Sequence, residues 1–304
     1  MSRLLRIPAV LCALLLGACG SPWNNPYPAS DAGANVLYTS FVERPKHLDP
    51  VQSYAENEYA FIANIYTPPL QYHYLKRPHE LVPLAAVEVP RPAYFDADHN
   101  RLPDDVPGGE VAYSVYEVRL RPGLRYQPHP AFARDEQGAL RYERLTEADL
   151  DGIHAPTDFP FHGTREVEAS DFVYQIKRLA HPRLHSPIAG LMSTYIVGLS
   201  EYAEQVGEMA REAPADAWLD LDRHEIAGVQ AVDRLTYRIR IRGKYPQFAY
   251  WLAMPFFSPV PKEVDRFYAQ PGMAQRNLTL DWFPVGSGPY MLTVNDPNRQ
   301  MVLE

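Results

Sequence analysis

Glu168-Ala169-Ser170-Asp171-Phe172-Val173-Tyr174-Gln175-Ile176-Lys177-Arg178-Leu179-Ala180-His181-Pro182 decides how the chain is read. Phe172, Val173, Ile176 and Leu179 recur at the spacing of one helix face. Ser170 suits the N-cap position, and Asp171 places a negative charge in the first turn, where the helix dipole favours it. Pro182 ends the segment. Upstream, Tyr113, Val115, Glu117, Arg119 and Arg121 alternate with Ser114, Tyr116, Val118 and Leu120. This is a strand pattern, closed by Pro122-Gly123. Downstream, Val232 to Arg242 alternates through Leu235, Tyr237, Ile239 and Ile241 and predicts a second strand. Helices and strands are thus interleaved, and the chain reads as mixed α/β.

Further out, Val36 to Phe41 is a short β-type run, followed by a Leu48-Asp49-Pro50 turn. Glu56 to Tyr66 carries Tyr59, Ile62 and Tyr66 at helical spacing, with Ala60 and Ala63 alongside, and Pro68-Pro69 stops it. Residues 127–165 are irregular and predict a long surface excursion. Ser200 to Glu212 predicts an amphipathic helix. Pro246 to Ala253 and Pro261 to Tyr268 predict two short ones with Pro in the first turn. Val285-Gly286-Ser287-Gly288-Pro289-Tyr290 turns into a strand, Met291 to Val294. Met301-Val302-Leu303-Glu304 is strand-like without a closing turn, so the chain is expected to be cut short. The 30 prolines in 304 residues rule out long uninterrupted helices.

The N-terminus carries its own signal. Arg3 and Arg6 precede the apolar run Ile7 to Leu16, about ten residues against the roughly 20 needed to span a bilayer. Charge and length fit a signal peptide over residues 1–18. Leu16-Gly17-Ala18-Cys19 resembles a bacterial lipobox, in which the Cys19 thiol would receive a diacylglycerol. Each buried CH₂ would then contribute roughly 0.8 kcal/mol to a membrane anchor. Residues 19–35, rich in Gly, Pro, Ser and Asn, read as a flexible tether. Cys12 and Cys19 are the two cysteines, so the rest of the chain offers neither a disulfide nor a thiolate metal site. The net charge of −8 argues against a nucleic-acid binder.

Five segments in order resemble one family, the extracytoplasmic solute-binding proteins of peptide and nickel ABC importers, the dipeptide and oligopeptide type. They are the β-run with Leu48-Asp49-Pro50; Ile65-Tyr66-Thr67-Pro68-Pro69-Leu70 with Leu81-Val82-Pro83-Leu84-Ala85; Tyr116 through Tyr126; Glu168 through Pro182 with Ser186-Pro187; and Gly286-Ser287-Gly288-Pro289-Tyr290. The resemblance covers residues 36–304. It implies a periplasmic-binding-protein-like fold of the large three-part type, incomplete here and lacking the second lobe. Residues 36–66 would start lobe I, 67–281 would form an inserted domain II, and 282–304 would return to lobe I.

The resemblance also implies a function. The protein would bind oligopeptide outside the cytoplasmic membrane and deliver it to ABC permease subunits, as a lipoprotein of the periplasm or cell envelope held to the lipid bilayer through Cys19. It implies no enzyme activity, no cofactor and no metal. Ligand contacts would fall on Tyr54, Ala55 and Glu56, just after the Leu48-Asp49-Pro50 turn, largely through main-chain groups. A further contact would fall on the residue after Ser186-Pro187. The family has an aromatic there and this chain has Ile188, which loses a hydroxyl and a ring. A nickel chelate, an oligosaccharide, or a non-transporting lipoprotein remnant are the other readings. Rival motifs are poor. Gly286-Ser287-Gly288 lacks the spacing of a nucleophile elbow. His181 and His185 are separated by Pro182. Asp96-Ala97-Asp98-His99-Asn100 has Arg101 where a calcium loop needs Gly.

Overall fold

The computed structural model describes residues 27–31 and 33–304. The signal segment, the lipobox and Cys19 lie outside the described residues. Two compact units divide at residue 42/43. In the first, Ala29–Asp31 forms a 3₁₀ turn. The β-run expected over Val36 to Phe41 is not a strand. Val36 and Leu37 are exposed, and among the described residues no strand pairs with their peptide groups, which β structure requires.

In the second unit, a four-stranded antiparallel sheet has the order β3-β4-β6-β5, with β3 Ala93–Phe95, β4 Tyr113–Arg119, β5 Val229–Asp233 and β6 Thr236–Arg242. Tyr116 and Val118 of β4 and Tyr237, Ile239 and Ile241 of β6 are buried, as the period-2 alternation dictates. The single strand expected over Val232 to Arg242 is in fact the end of β5, a turn at Arg234-Leu235, and β6. Asp233 makes the turn by accepting from the Leu235 N–H at 2.8 Å. The Asx contact offers the backbone an alternative to continued extension.

Helix α2, Ala169–Leu179, packs on β5 and β6, with Phe172 stacked on Tyr237 at 5.2 Å. It starts one residue before the expected cap. Glu168 is the N-cap, and Asp171 reaches back to the Glu168 N–H at 2.9 Å. Helix α1 is Glu56–Ile65, α3 Ala189–Tyr195, α4 Leu199–Glu212, α5 Phe248–Trp251 and α6 Lys262–Tyr268. Two hairpins complete the unit: β1 Leu70–Tyr72 with β2 Leu81–Pro83, and β7 Leu292–Asp296 with β8 Gln300–Leu303. The stretch 127–165 is less superficial than expected. His129, Phe132, Leu150 and Phe159 are buried. His129 accepts from the Ala131 N–H through Nδ1 (3.1 Å), so Nε2 carries the proton toward the Tyr268 hydroxyl (2.9 Å). The Asp96 carboxylate is occupied by the N–H groups of Asp98 and Asn100 and the Asn100 amide, which makes the segment a closed turn.

Candidate ligand-binding edge

The predicted contact residues follow a loop that several carboxylates hold from within. Glu58, buried on the first turn of α1, accepts five hydrogen bonds. Oε1 takes the N–H groups of Lys46 (3.1 Å) and His47 (3.0 Å), and Oε2 takes the Ser53 hydroxyl (2.9 Å) and the N–H groups of Tyr54 (3.0 Å) and Ala55 (3.1 Å). Burial alone would raise its pKa. The bonds from Ala55, Ser53, His47 and Tyr54 outweigh that and hold it below the usual carboxylate range. Asp281 takes the N–H groups of Leu48 (3.0 Å) and Asp49 (2.9 Å) and His47 Nδ1 (2.9 Å). Burial and the neighbouring Asp49 charge push its pKa up.

Asp49 joins this loop to the decisive helix. Arg178 grips it with two bonds, 2.9 and 2.7 Å, and both side chains are buried. Arg178 Nε also reaches Asp265 at 3.1 Å, and Asp265 accepts from the Tyr174 hydroxyl (2.7 Å) and Trp218 Nε1 (3.2 Å). Burial would favour neutral Arg178, but Asp49 and Asp265 reverse this and raise its pKa. A buried ion pair of this kind fixes geometry more than it adds net stability.

The other end of α1 is held by the glycine turn. Gly288 N–H donates to the Ile65 carbonyl (2.7 Å) and Tyr290 N–H to that of Asn64 (3.1 Å). A Cβ at Gly286 would run into the Ile65 carbonyl oxygen. Glycine is needed here because the two backbones approach so closely.

Tyr54, Ala55 and Glu56 are consecutive and exposed. Ala55 is extended, with φ −84° and ψ 149°. Successive peptide groups of an extended segment point to opposite sides. The Tyr54 and Ala55 N–H groups are taken by Glu58, and the Ala55 carbonyl by α1. Among the described residues, neither the Tyr54 carbonyl nor the Glu56 N–H has a hydrogen-bond partner. One acceptor and one donor therefore flank Ala55 on the same side, which matches the N–H and C=O of one residue of an extended chain. Ile188 is placed differently. It sits at the start of α3, 3% exposed and packed in the core, and its side chain presents almost no surface to solvent. Glu58 and Arg178, which organise the edge, were not among the expected residues.

This is a mixed α/β chain with the periplasmic-binding-protein fold in incomplete form. The murein tripeptide binding protein MppA of Escherichia coli superposes with a TM-score of 0.52 at 19% identity, covering 86% of this chain and 36% of that one. The substrate-binding domain of an oligopeptide ABC transporter from Bacillus anthracis gives 0.51 at 17%, covering 88% and 36%. The family model for bacterial extracellular solute-binding proteins, family 5 middle, matches residues 157–304. The periplasmic oligopeptide-binding protein OppA of Escherichia coli K12 is 28% identical over 232 residues, 67% of this chain and 38% of that protein. Its Salmonella typhimurium counterpart is 26% identical over 204 residues, 66% and 32% respectively. The chain thus spans 32–38% of the length of these curated relatives.

Proposed function

We propose that this chain forms part of a peptide-capturing receptor of an ABC importer, working outside the cytoplasmic membrane and passing its ligand to permease subunits. The observation that carries the reading is the exposed Tyr54-Ala55-Glu56 edge, with a carbonyl and an N–H free on one side. A buried peptide needs such partners, since each unpaired polar group costs about 1–3 kcal/mol. Main-chain recognition of this kind is indifferent to ligand side chains, which suits a transporter of varied peptides. Ile188 would act from the core, by supporting the start of α3. Residues 36–66 and 282–304 would belong to one lobe and 67–281 to the inserted domain; the tie between the end of α1 and the Gly286–Tyr290 turn supports placing those two segments together. Cys19 would carry the lipid anchor.

The test is ligand identity. The protein is purified without denaturation from the envelope of its own cells and examined by native mass spectrometry. Co-purified peptides of a few residues are the expected result. A protein that carries sugar or metal chelate instead, in cells whose peptide uptake survives deletion of the gene, would contradict the proposal.

A further inference from the structure

A cleft of about 480 Å³ lies where three motif segments meet: the end of α1, the Arg121–Leu124 turn and the Ser287–Pro289 turn. Its lining residues with polar side chains are Tyr66, Thr67, Gln71, Arg121 and Ser287, between apolar walls such as Ala63 and Leu124, and no carboxylate lines it. On a chain of net charge −8, a cleft holding one cation and no acid is unusual. The Arg121 guanidinium is fixed on one side by carbonyls, Nε to Ala86 at 3.1 Å and Nη2 to Pro83 at 3.3 Å. Among the described residues no carboxylate pairs with it and Nη1 has no partner. The larger cleft of about 720 Å³, along α2 and α6, differs. There Arg165, Lys177, Lys262 and Arg266 have carboxylate partners, and Arg134 donates to the Gly138 carbonyl beside the lining acids Glu143, Glu168, Asp171, Asp222, Glu225 and Glu263.

The hydroxyls add a second, independent observation. Ser287 Oγ donates to Thr67 Oγ1 at 3.0 Å, with the residues 8% and 6% exposed. Two hydroxyls carry two protons, and one bond uses one of them. Among the described residues the Thr67 proton has no acceptor. A buried donor left in this way is costly unless something in the cleft accepts from it.

We propose that this cleft is a carboxylate subsite. Arg121 supplies charge and N–H donors, and the Thr67–Ser287 pair supplies one O–H. One cation and one hydroxyl proton between apolar walls suit a planar monoanion rather than a phosphate dianion. The carboxylate belongs either to a small free acid or to the C-terminus of a peptide. The subsite stands whether or not the Tyr54–Glu56 edge binds peptide, because the first probe used is acetate alone.

Saturation-transfer NMR on the full chain at neutral pH, with acetate titrated to about 100 mM, measures it. The expected result is saturable transfer, weakened about tenfold or more by Arg121→Gln and about fivefold by Thr67→Val, but largely kept by Arg121→Lys and Thr67→Ser. Trialanine and its C-terminal amide separate the two sources. Arg121-dependent binding of the free acid and not of the amide identifies a peptide terminus. Acetate binding with no Arg121-dependent trialanine binding identifies a small free acid. Absence of saturable acetate binding, or binding unchanged in Arg121→Gln, overturns the proposal.

Discussion

Arg178 lies off the apolar stripe of α2, on the side of Asp171 and Gln175, yet it is buried, and its charge is matched by Asp49, 129 residues earlier in the chain. Removing one partner strands a buried charge, so Asp49→Ala should cost about 3–5 kcal/mol. Adding Arg178→Met should recover part of that loss. Urea melts of the single and double variants measure it, and additive losses would contradict the pairing. The helix itself was legible in Phe172, Ile176 and Leu179. The ion pair carries no sequence signal, because Arg178 lies off the apolar stripe and its partner is distant in sequence. Glu58 was legible in kind, as an acid in the first turn of α1, but its five donors come from a loop whose course no local pattern dictates. Tyr54, Ala55 and Glu56 were chosen from resemblance; their free carbonyl and N–H emerge only once Glu58 is seen to occupy the other donors.

At the scale of elements, the periodic segments lie where the sequence places them: α1, α2 and β4, and also α4, whose pattern is weaker. Failures cluster where tertiary partners decide. The run at 36–41 has β-type residues but no pairing. Leu235, in the turn of the β5–β6 hairpin, continues the alternation, so the pattern alone predicts one strand where there are two. The three-residue strands β1, β2 and β3 are too short to carry a period. The 127–165 segment was read as superficial because its buried residues follow no regular spacing. The glycine turn was recognised by resemblance, and its physical reason is the contact with the end of α1. Gly286→Ala should therefore destabilise by more than about 2 kcal/mol, since backbone meets backbone there. The denaturation midpoint of this variant measures the effect; a midpoint equal to wild type would contradict the close approach.

Across the whole molecule, the buried His129 and the partly buried His181 shape the acid response. Burial lowers the pKa of His129 to about 3 and of His181 to about 4. The unfolded chain takes up these protons first, near the ordinary value of about 6.5. Stability is therefore full above that pH and falls as the pH drops toward 4, by about 2 kcal/mol per imidazole by pH 5. Asp281, whose pKa is raised by burial and Asp49, acts in the opposite sense at lower pH. Melting temperature should fall by several degrees between pH 7 and pH 5, and His129→Gln should flatten the slope; a level profile in the wild type would contradict the neutral imidazoles. The lipobox reading makes a separate prediction. Cys19→Ser should move the protein from the membrane to the soluble fraction, and unchanged membrane fractionation without a lipid adduct in the wild type would refute it.

The central claim is that an exposed main-chain edge captures an extended peptide. Glu56→Pro tests it most directly. Proline is tolerated at the first helical position, and Ala55 is already extended as a residue before proline must be. The change deletes the Glu56 N–H together with the exposed carboxylate, and Glu56→Ala, which removes the carboxylate alone, is the control against which it is read. Calorimetry with a short peptide should show affinity reduced about 2- to 10-fold, with the melting temperature unchanged or slightly raised. Equal affinity for wild type and variant, at equal stability, would contradict the account.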